Sequence, residues 1–134
     1  MSIYVLDASA IVAYLSNEPG EKVVTALLDD PNATCYAHVM NLCEVYYYLI
    51  RTANIASARK AIHGLCETGV IERRDMSRPF WQRVGEHKAR GRISLPDCFC
   101  IALAQELSAE VVTSDHGEFD PLVPLGIVPI KFIR

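Results

Sequence analysis

Apolar and polar positions alternate along the chain in two periods, and the switches between them mark its elements. Ile3-Tyr4-Val5-Leu6 is a short apolar run that stops at Asp7, the pattern of a buried strand. Ala8 to Leu15 predicts a helix, closed by Asn17-Glu18-Pro19-Gly20. A second helix over about 21–30 would place Val23, Val24, Leu27 and Leu28 on one face. Asp30-Pro31-Asn32 reads as a turn, and Thr34 to Ala37 as a strand. Val39, Leu42, Cys43, Tyr46, Leu49 and Ile50 keep helical spacing, which predicts a helix over 39–51. Another helix covers 55–66 and stops near Gly69, before a short strand over 70–73. Ser77 can cap a helix that holds Pro79 in its first turn and runs to about Arg90; Gly91-Arg92 is a loop. Pro96 to Leu107 is a strongly apolar helix, Glu110 to Ser114 a strand that stops at Asp115. A loop containing Pro and Gly follows, and Val128 to Ile133 reads as a last strand. Strands separated by helices imply a parallel sheet covered on both faces, an α/β fold.

Composition is consistent with this and adds limits. The 134 residues match one domain spanning 1–134, and 51% of them are apolar, enough for a core without disulfides or a structural metal. No apolar stretch approaches the roughly 18 residues of a membrane span. Met1 to Asp7 lacks a basic start and a long apolar region, so a cytoplasmic protein is expected. Cysteines at 35, 43, 66, 98 and 100 are odd in number and form no Cys-x-x-Cys pair. They are expected to be reduced and to act as small core residues, not as a disulfide framework or zinc site.

Charge changes the picture more. The net charge of −3 is not that of a simple nucleic-acid-binding module. Yet residues 72–92 carry Arg73, Arg74, Arg78, Arg83, Lys88, Arg90 and Arg92 against Glu72, Asp75 and Glu86. Seven less three makes that segment +4 and leaves −7 on the rest. The acids elsewhere then need a reason, and bound cations are one.

Asp7 ends the first strand and Asp115 follows the late one, and in a parallel α/β sheet ligands bind beyond the carboxyl ends of the strands. Whether the two strands are neighbours is not readable from the sequence. Glu44 sits in the 39–51 helix with Asn41 and Tyr48 on the same face. Asp97 opens a helix, after Ser94-Leu95-Pro96. Each acid has a local alternative: Asp7 as a helix cap, Asp97 as a capping-box partner of Ser94, Glu44 as an exposed helix residue, Asp115 as a turn residue. Four carboxylates converging without cations would repel and raise one another's pKa values. Oxygen-rich sites of this kind suit Mg²⁺ or Mn²⁺, which can activate a water and stabilise phosphodiester oxygens.

Four segments carry a resemblance: Asp7-Ala8-Ser9-Ala10-Ile11-Val12-Ala13; Asn41-Leu42-x-Glu44-Val45; Leu95-x-Asp97; and Val112-Thr113-Ser114-Asp115-x-x-Glu118-Phe119. Together they resemble a PIN domain and, within that superfamily, the toxin of a VapBC-type toxin–antitoxin pair. The resemblance runs along essentially the whole chain. It implies a three-layer sandwich with a central parallel five-stranded sheet, and an Mg²⁺- or Mn²⁺-dependent endoribonuclease. It also implies a cognate antitoxin partner and a homodimer. Onto this chain it carries metal-site and catalytic roles for Asp7, Glu44, Asp97 and Asp115. Ser9 and Thr113 match small hydroxyls beside the acids, Asn41 a polar position near the site, and Glu118 with Asp120 an additional acidic segment.

Other residues fit around that expectation. The four histidines form no His-x-x-x-His pair, and His116 is placed to touch substrate only through its closeness to Asp115. Tyr46, Tyr47 and Tyr48 face three directions on a helix, so core, interface and groove should take one each. Ile11, Tyr14, Leu15, Tyr46 and Leu49 are expected to include residues facing a second subunit or an antitoxin. Arg78, Arg83, Lys88, Arg90 and Arg92 are candidate RNA contacts, against the plainer reading of a solvated helix face. A haloacid-dehalogenase-like phosphatase would need a second Asp at position 9, where Ser stands. A receiver-type domain would need paired acids after the first strand. A non-catalytic RNA- or partner-binding protein on the same fold remains the alternative, and the four intact acids count against it.

Overall fold

The computed structural model describes all 134 residues. Five parallel strands form one sheet: β1 (Ser2–Leu6), β2 (Ala33–His38), β3 (Ile71–Arg73), β4 (Glu110–Thr113) and β5 (Ile130–Phe132), in the order β3-β2-β1-β4-β5. The helices are α1 (Ala8–Leu15), α2 (Glu21–Asp29), α3 (Val39–Thr52), α4 (Ile55–Glu67), α5 (Arg78–Arg90), α6 (Leu95–Leu107) and the single turn α7 (His116–Phe119). A 3₁₀ segment over Asp120–Leu125 follows α7. Successive strand residues point to opposite faces, and the core divides accordingly. Val5 and Val111 pack with α5 and α6, while Leu6 and Val112 pack with α1 to α4. This is the expected sandwich with helices on both faces.

The chain runs outward from β1 through β2 to β3, then returns to place β4 on the other side of β1. Leu6 is in register with Val112, and the Asp7 N–H donates to the Val112 carbonyl at 3.1 Å. The strands that precede Asp7 and Asp115 are therefore neighbours, and the crevice at their ends is a topological switch point, where open α/β sheets bind ligands.

α6 is the most enclosed helix. Every residue from Asp97 to Ala104 is buried, because the helix lies on the sheet between α3 and α5. A helix enclosed on all sides is apolar all round and carries no stripe.

Some expectations fail, each for a local reason. The stretch after Asp115 is α7 and a 3₁₀ segment, not an open loop: Asp115 caps the turn by accepting the Glu118 N–H at 3.0 Å. The last strand is shorter than 128–133, since Val128 and Pro129 precede the pairing. Cys35, Cys98 and Cys100 are buried core residues, but Cys43 and Cys66 are exposed, lining a groove between α3 and α4. None of the three consecutive tyrosines enters the core: Tyr46 is half-buried, and Tyr47 and Tyr48 are exposed. Ile11 is wholly buried beneath α1 and is no interface residue, whereas Tyr14, Leu15 and Leu49 are half-buried. No helix is long and apolar enough to cross a membrane.

Candidate functional site

Asp7 is the N-cap of α1, its Oδ1 accepting from the Ala10 N–H at 2.9 Å and the Ser9 hydroxyl at 2.8 Å. The Thr113 hydroxyl donates to its other oxygen. These hydroxyls also accept: Ser114 N–H donates to Ser9 Oγ at 2.9 Å, and Asp115 N–H to Thr113 Oγ1 at 3.0 Å. Ser9 and Thr113 thus tie the ends of β1 and β4 together and aim Asp7. The carboxylate is 1% exposed. Burial pushes its pKa up to about 6, against the pull of these hydrogen bonds, and the Asp115 charge adds to the rise.

Asp97 stands in the first turn of α6. Ser94, the N-cap, donates its hydroxyl to Asp97 Oδ2 at 3.0 Å and accepts the Asp97 N–H at 3.3 Å. The capping reading of Asp97 is therefore real geometry, and it leaves the carboxylate on the cleft wall. Burial is the main cause that lifts its pKa to about 8, with the charges of Asp7, Glu118 and Glu44 adding. Glu44, half-buried on α3, is raised by burial first and then by Glu118 and Asp115. Burial of these charges, with their mutual repulsion, is what a cation would relieve.

Asp7, Glu44, Asp97 and Asp115 line one cleft of about 410 Å³, together with Ser9, Ser94, Tyr47 and Tyr48. Within it, oxygen atoms of Asp97, Asp115 and Glu118 all lie within 4.8 Å of one another. Glu118 thus stands in the tightest group, though the sequence offered it only a supporting place. Its Oε2 also accepts the Ser94 N–H at 3.0 Å, which links α7 to the start of α6. Every side chain lining the cleft that could ligate a cation offers oxygen; neither histidine nor cysteine is among them. Hard oxygen donors of this kind fit Mg²⁺ or Mn²⁺ and do not fit a soft or imidazole-bound metal.

Asn41 does not line the cleft. It is fully buried behind it, where its Nδ2 donates to the Pro96 carbonyl at 3.1 Å and so holds the first turn of α6. Its Oδ1 is buried without a partner.

Two cleft residues were not foreseen. Glu18 and Arg134 both line it, and Arg134 is the single basic residue that does. Arg134 donates to the Pro19 carbonyl at 2.8 Å. The contact depends on Gly20, at φ 98°, where a Cβ would stand 2.7 Å from Ile133 Cγ1. No local motif in the sequence announces a meeting between residues this far apart.

None of Arg78, Arg83, Lys88, Arg90 and Arg92 lines the acid cleft. Arg83 faces Glu106 at 3.5 Å, and Lys88 donates to the Ile93 carbonyl at 2.8 Å. Arg90 and Arg92 line an adjoining groove instead. His116 does not line the cleft either: it stacks on Phe132 at 4.1 Å and bonds Asp120 and the Arg134 carbonyl. His38 is a core residue, wholly buried against Phe80 and Phe99.

The PIN domain family model matches residues 4–121, nearly the whole chain. The chain belongs to the PIN domain family. A comparison with curated protein sequences gives no match. Solved structures share the PIN fold end to end. A chain of DNA-bound VapBC from Salmonella typhimurium superposes with a TM-score of 0.76 at 16% identity, covering 100% of both chains. Mycobacterium tuberculosis VapC20, described as a sarcin–ricin loop cleaving toxin, gives 0.71 at 20% identity, covering 90% of this chain and 94% of that one. A toxin–antitoxin complex from Klebsiella pneumoniae gives 0.67 at 17% identity, covering 98% of each. At these identities the likeness is one of fold.

Proposed function

We propose that this PIN domain is an endoribonuclease dependent on Mg²⁺ or Mn²⁺, and that it is the toxin component of a toxin–antitoxin pair. The observation that carries the nuclease reading is the cluster of Asp97, Asp115 and Glu118 oxygens, with Asp7 and Glu44 in the same cleft, at the switch point of the sheet. Asp97, Asp115 and Glu118 are the residues that would hold the cation, with Asp7 and Glu44 completing its negative surroundings. A bound divalent cation supplies charge neutralisation at phosphodiester oxygens and a more acidic water. The chain's own contributions are orientation and confinement. Ser9 and Thr113 fix Asp7, Ser94 fixes Asp97, and Asn41 fixes the turn that carries Asp97. Tyr47 and Tyr48 on the cleft rim offer faces on which bases can stack.

The toxin reading rests on the neighbours: a VapBC assembly, a further toxin–antitoxin complex and a VapC toxin share the fold over nearly full length. A protein antitoxin, a homodimer and a cytoplasmic location belong to that reading. A cleft lined by six carboxylates and one guanidinium gives an inhibitor a physical target. A Lys or Arg from a partner can replace the cation there.

The test is cleavage of labelled RNAs, single-stranded and structured, by the purified chain. Cleavage should need Mg²⁺ or Mn²⁺, stop with EDTA and return when the metal is restored. Asp115→Asn should lower the rate by at least ~100-fold without unfolding the chain, the scale expected when charge at a reacting centre is lost. No cleavage of any RNA with either metal would favour the non-catalytic binding protein instead.

A further inference from the structure

Beside the acid cleft lies a second groove of about 580 Å³, between the end of α5, the 91–93 loop and the 3₁₀ segment. We infer that this groove is a nucleotide subsite, which takes one base of the single-stranded RNA flanking the bond that is cut, with the adjoining phosphates on Arg90 and Arg92. The inference rests on the nuclease reading above and adds where the substrate strand goes.

Three observations support it. The first is continuity: Glu118 lines both the cleft and the groove, so a strand crossing the cleft reaches the groove within about one nucleotide. The second is the composition of the walls. Leu122, Leu125 and Ile127 offer aliphatic surface to the faces of a base, and the volume falls within the range of about 300–1,000 Å³ usual for small-ligand sites. Arg90 and Arg92 stand on the same wall, and neither forms an ion pair within the chain. Unpaired guanidiniums beside an apolar slot match a nucleotide, which joins an apolar base face to an anionic phosphate. An acidic cleft cannot attract RNA by itself, so cations next to it have a purpose.

The third observation is His87, which lines the groove and is 7% exposed. Its Nε2 lies 2.8 Å from Gln105 Oε1. The Gln105 amide is oriented in turn by donating its NH₂ to the Ile127 carbonyl at 3.4 Å. That chain makes Nε2–H the donor and leaves Nδ1 an acceptor. Nδ1 has no hydrogen bond within the protein and is not among its enclosed, unpartnered atoms. An acceptor at this position suits a donor on a base edge, an exocyclic amino group or a ring N–H.

The experiment measures RNA binding apart from cleavage. Asp97→Asn chain in Mg²⁺ is titrated against a fluorescent 12-nucleotide single-stranded RNA by anisotropy, over a range of salt. On that background, Arg90→Ala/Arg92→Ala should weaken binding at least ~10-fold and lower the log–log salt slope by about 1.4, two phosphates at roughly 0.7 each on a single strand. Gly91→Trp provides an independent block. The backbone there is extended at φ −151°, and a Cβ would meet nothing within 4 Å, so an indole can occupy the mouth of the groove without displacing the chain. Gly91→Trp should weaken binding similarly with the salt slope unchanged, while Gly91→Ala binds as the parent does. Failure of the parent to bind RNA, or unchanged affinity in both the double variant and Gly91→Trp, overturns the subsite. Loss of a protein partner in those variants with RNA binding intact also overturns it, and assigns the groove to the partner. If the wild-type chain cuts RNA while the groove variants bind normally, the subsite falls and the nuclease reading stands. If the wild-type chain cuts no RNA but binding depends on the groove, the nuclease reading falls and the groove stands only as an RNA-binding site.

Discussion

Replacing Asp97 by Asn should stabilise the metal-free protein at alkaline pH, and the structure gives the size of the effect. The Asp97 carboxyl is 6% exposed and shares its cleft with Asp7, Glu44, Asp115 and Glu118. Its pKa is pushed from the usual 3.8 to about 8, by burial first and by the Asp7 charge next. A raised carboxyl pKa means that the folded chain holds a proton that the unfolded chain has released. Stability contributed by that proton is complete below pH ~4 and is lost as the pH rises towards 8, at about 1.4 kcal/mol per pH unit. The ceiling for the full interval is therefore ~6 kcal/mol, and water entry and salt reduce it to on the order of 2–3 kcal/mol. Asp7, raised to about 6, adds a slope in the lower half of the interval. Asn at position 97 removes the titration but keeps the cap, because the N–H of residue 97 still donates to Ser94 Oγ. Urea unfolding in EDTA at pH 5, 6.5 and 8 measures this. Wild type should lose about 1 kcal/mol between pH 6.5 and 8 beyond any loss in the variant, and the variant should be the more stable at pH 8. Added Mg²⁺ should restore the wild type at pH 8 and leave the variant nearly unchanged. A wild type with no pH slope, or a variant less stable than wild type at pH 8 in EDTA, would refute the electrostatic reasoning.

Further outcomes follow from neighbouring contacts. Thr113→Val removes a buried hydroxyl that donates to Asp7 and accepts from the Asp115 N–H. It should cost about 2–3 kcal/mol in urea unfolding, near the usual penalty for stranding buried partners, and should slow cleavage by loosening Asp7. Gly20→Ala should lower Tm by several degrees, because a Cβ at φ 98° meets Ile133 at 2.7 Å, and the change should detach Arg134 from the cleft rim. An unchanged Tm would mean that the close approach is not needed. Half-buried Tyr14, Leu15, Tyr46 and Leu49 remain as apolar surface for a partner. Light scattering at micromolar concentration should give a dimer mass, and a clean monomer would remove the dimer from the proposal.

The element order was legible because the period of the apolar pattern changes at nearly every boundary, and α6 showed itself by having no stripe at all. The turns after Asp115 were hidden. Gly117, Pro121 and Pro124 read as breakers, whereas the first turn depends on one side-chain cap, Asp115 to Glu118 N–H. Asp7 and Asp115 were legible as strand-end acids, but their adjacency was not, since strand order is set by the crossover from β3 to β4. The rank of Glu118 was missed for a related reason. Its three-residue spacing from Asp115 places both on one side of a turn, a signal available in the sequence, but its approach to Asp97 depends on the Ser94 contact between distant elements. Arg134 and Glu18 were missed because they reach the cleft only where the chain after β5 crosses Gly20. The tyrosines misled because period alone assigns directions, not what lies there: α3 turns Tyr47 and Tyr48 to the cleft rim, not one of them to the core.

The most direct measurement is a crystal structure of the wild-type chain soaked in Mn²⁺, with data collected for anomalous scattering. The account expects a Mn²⁺ peak in the cleft, bonded to carboxylate oxygens of at least two of Asp97, Asp115 and Glu118, at about the 2.0–2.2 Å of small hard cations. The same peak should be absent from Asp115→Asn. Anomalous density only at surface sites, or the acid cleft left empty at millimolar Mn²⁺, would contradict it.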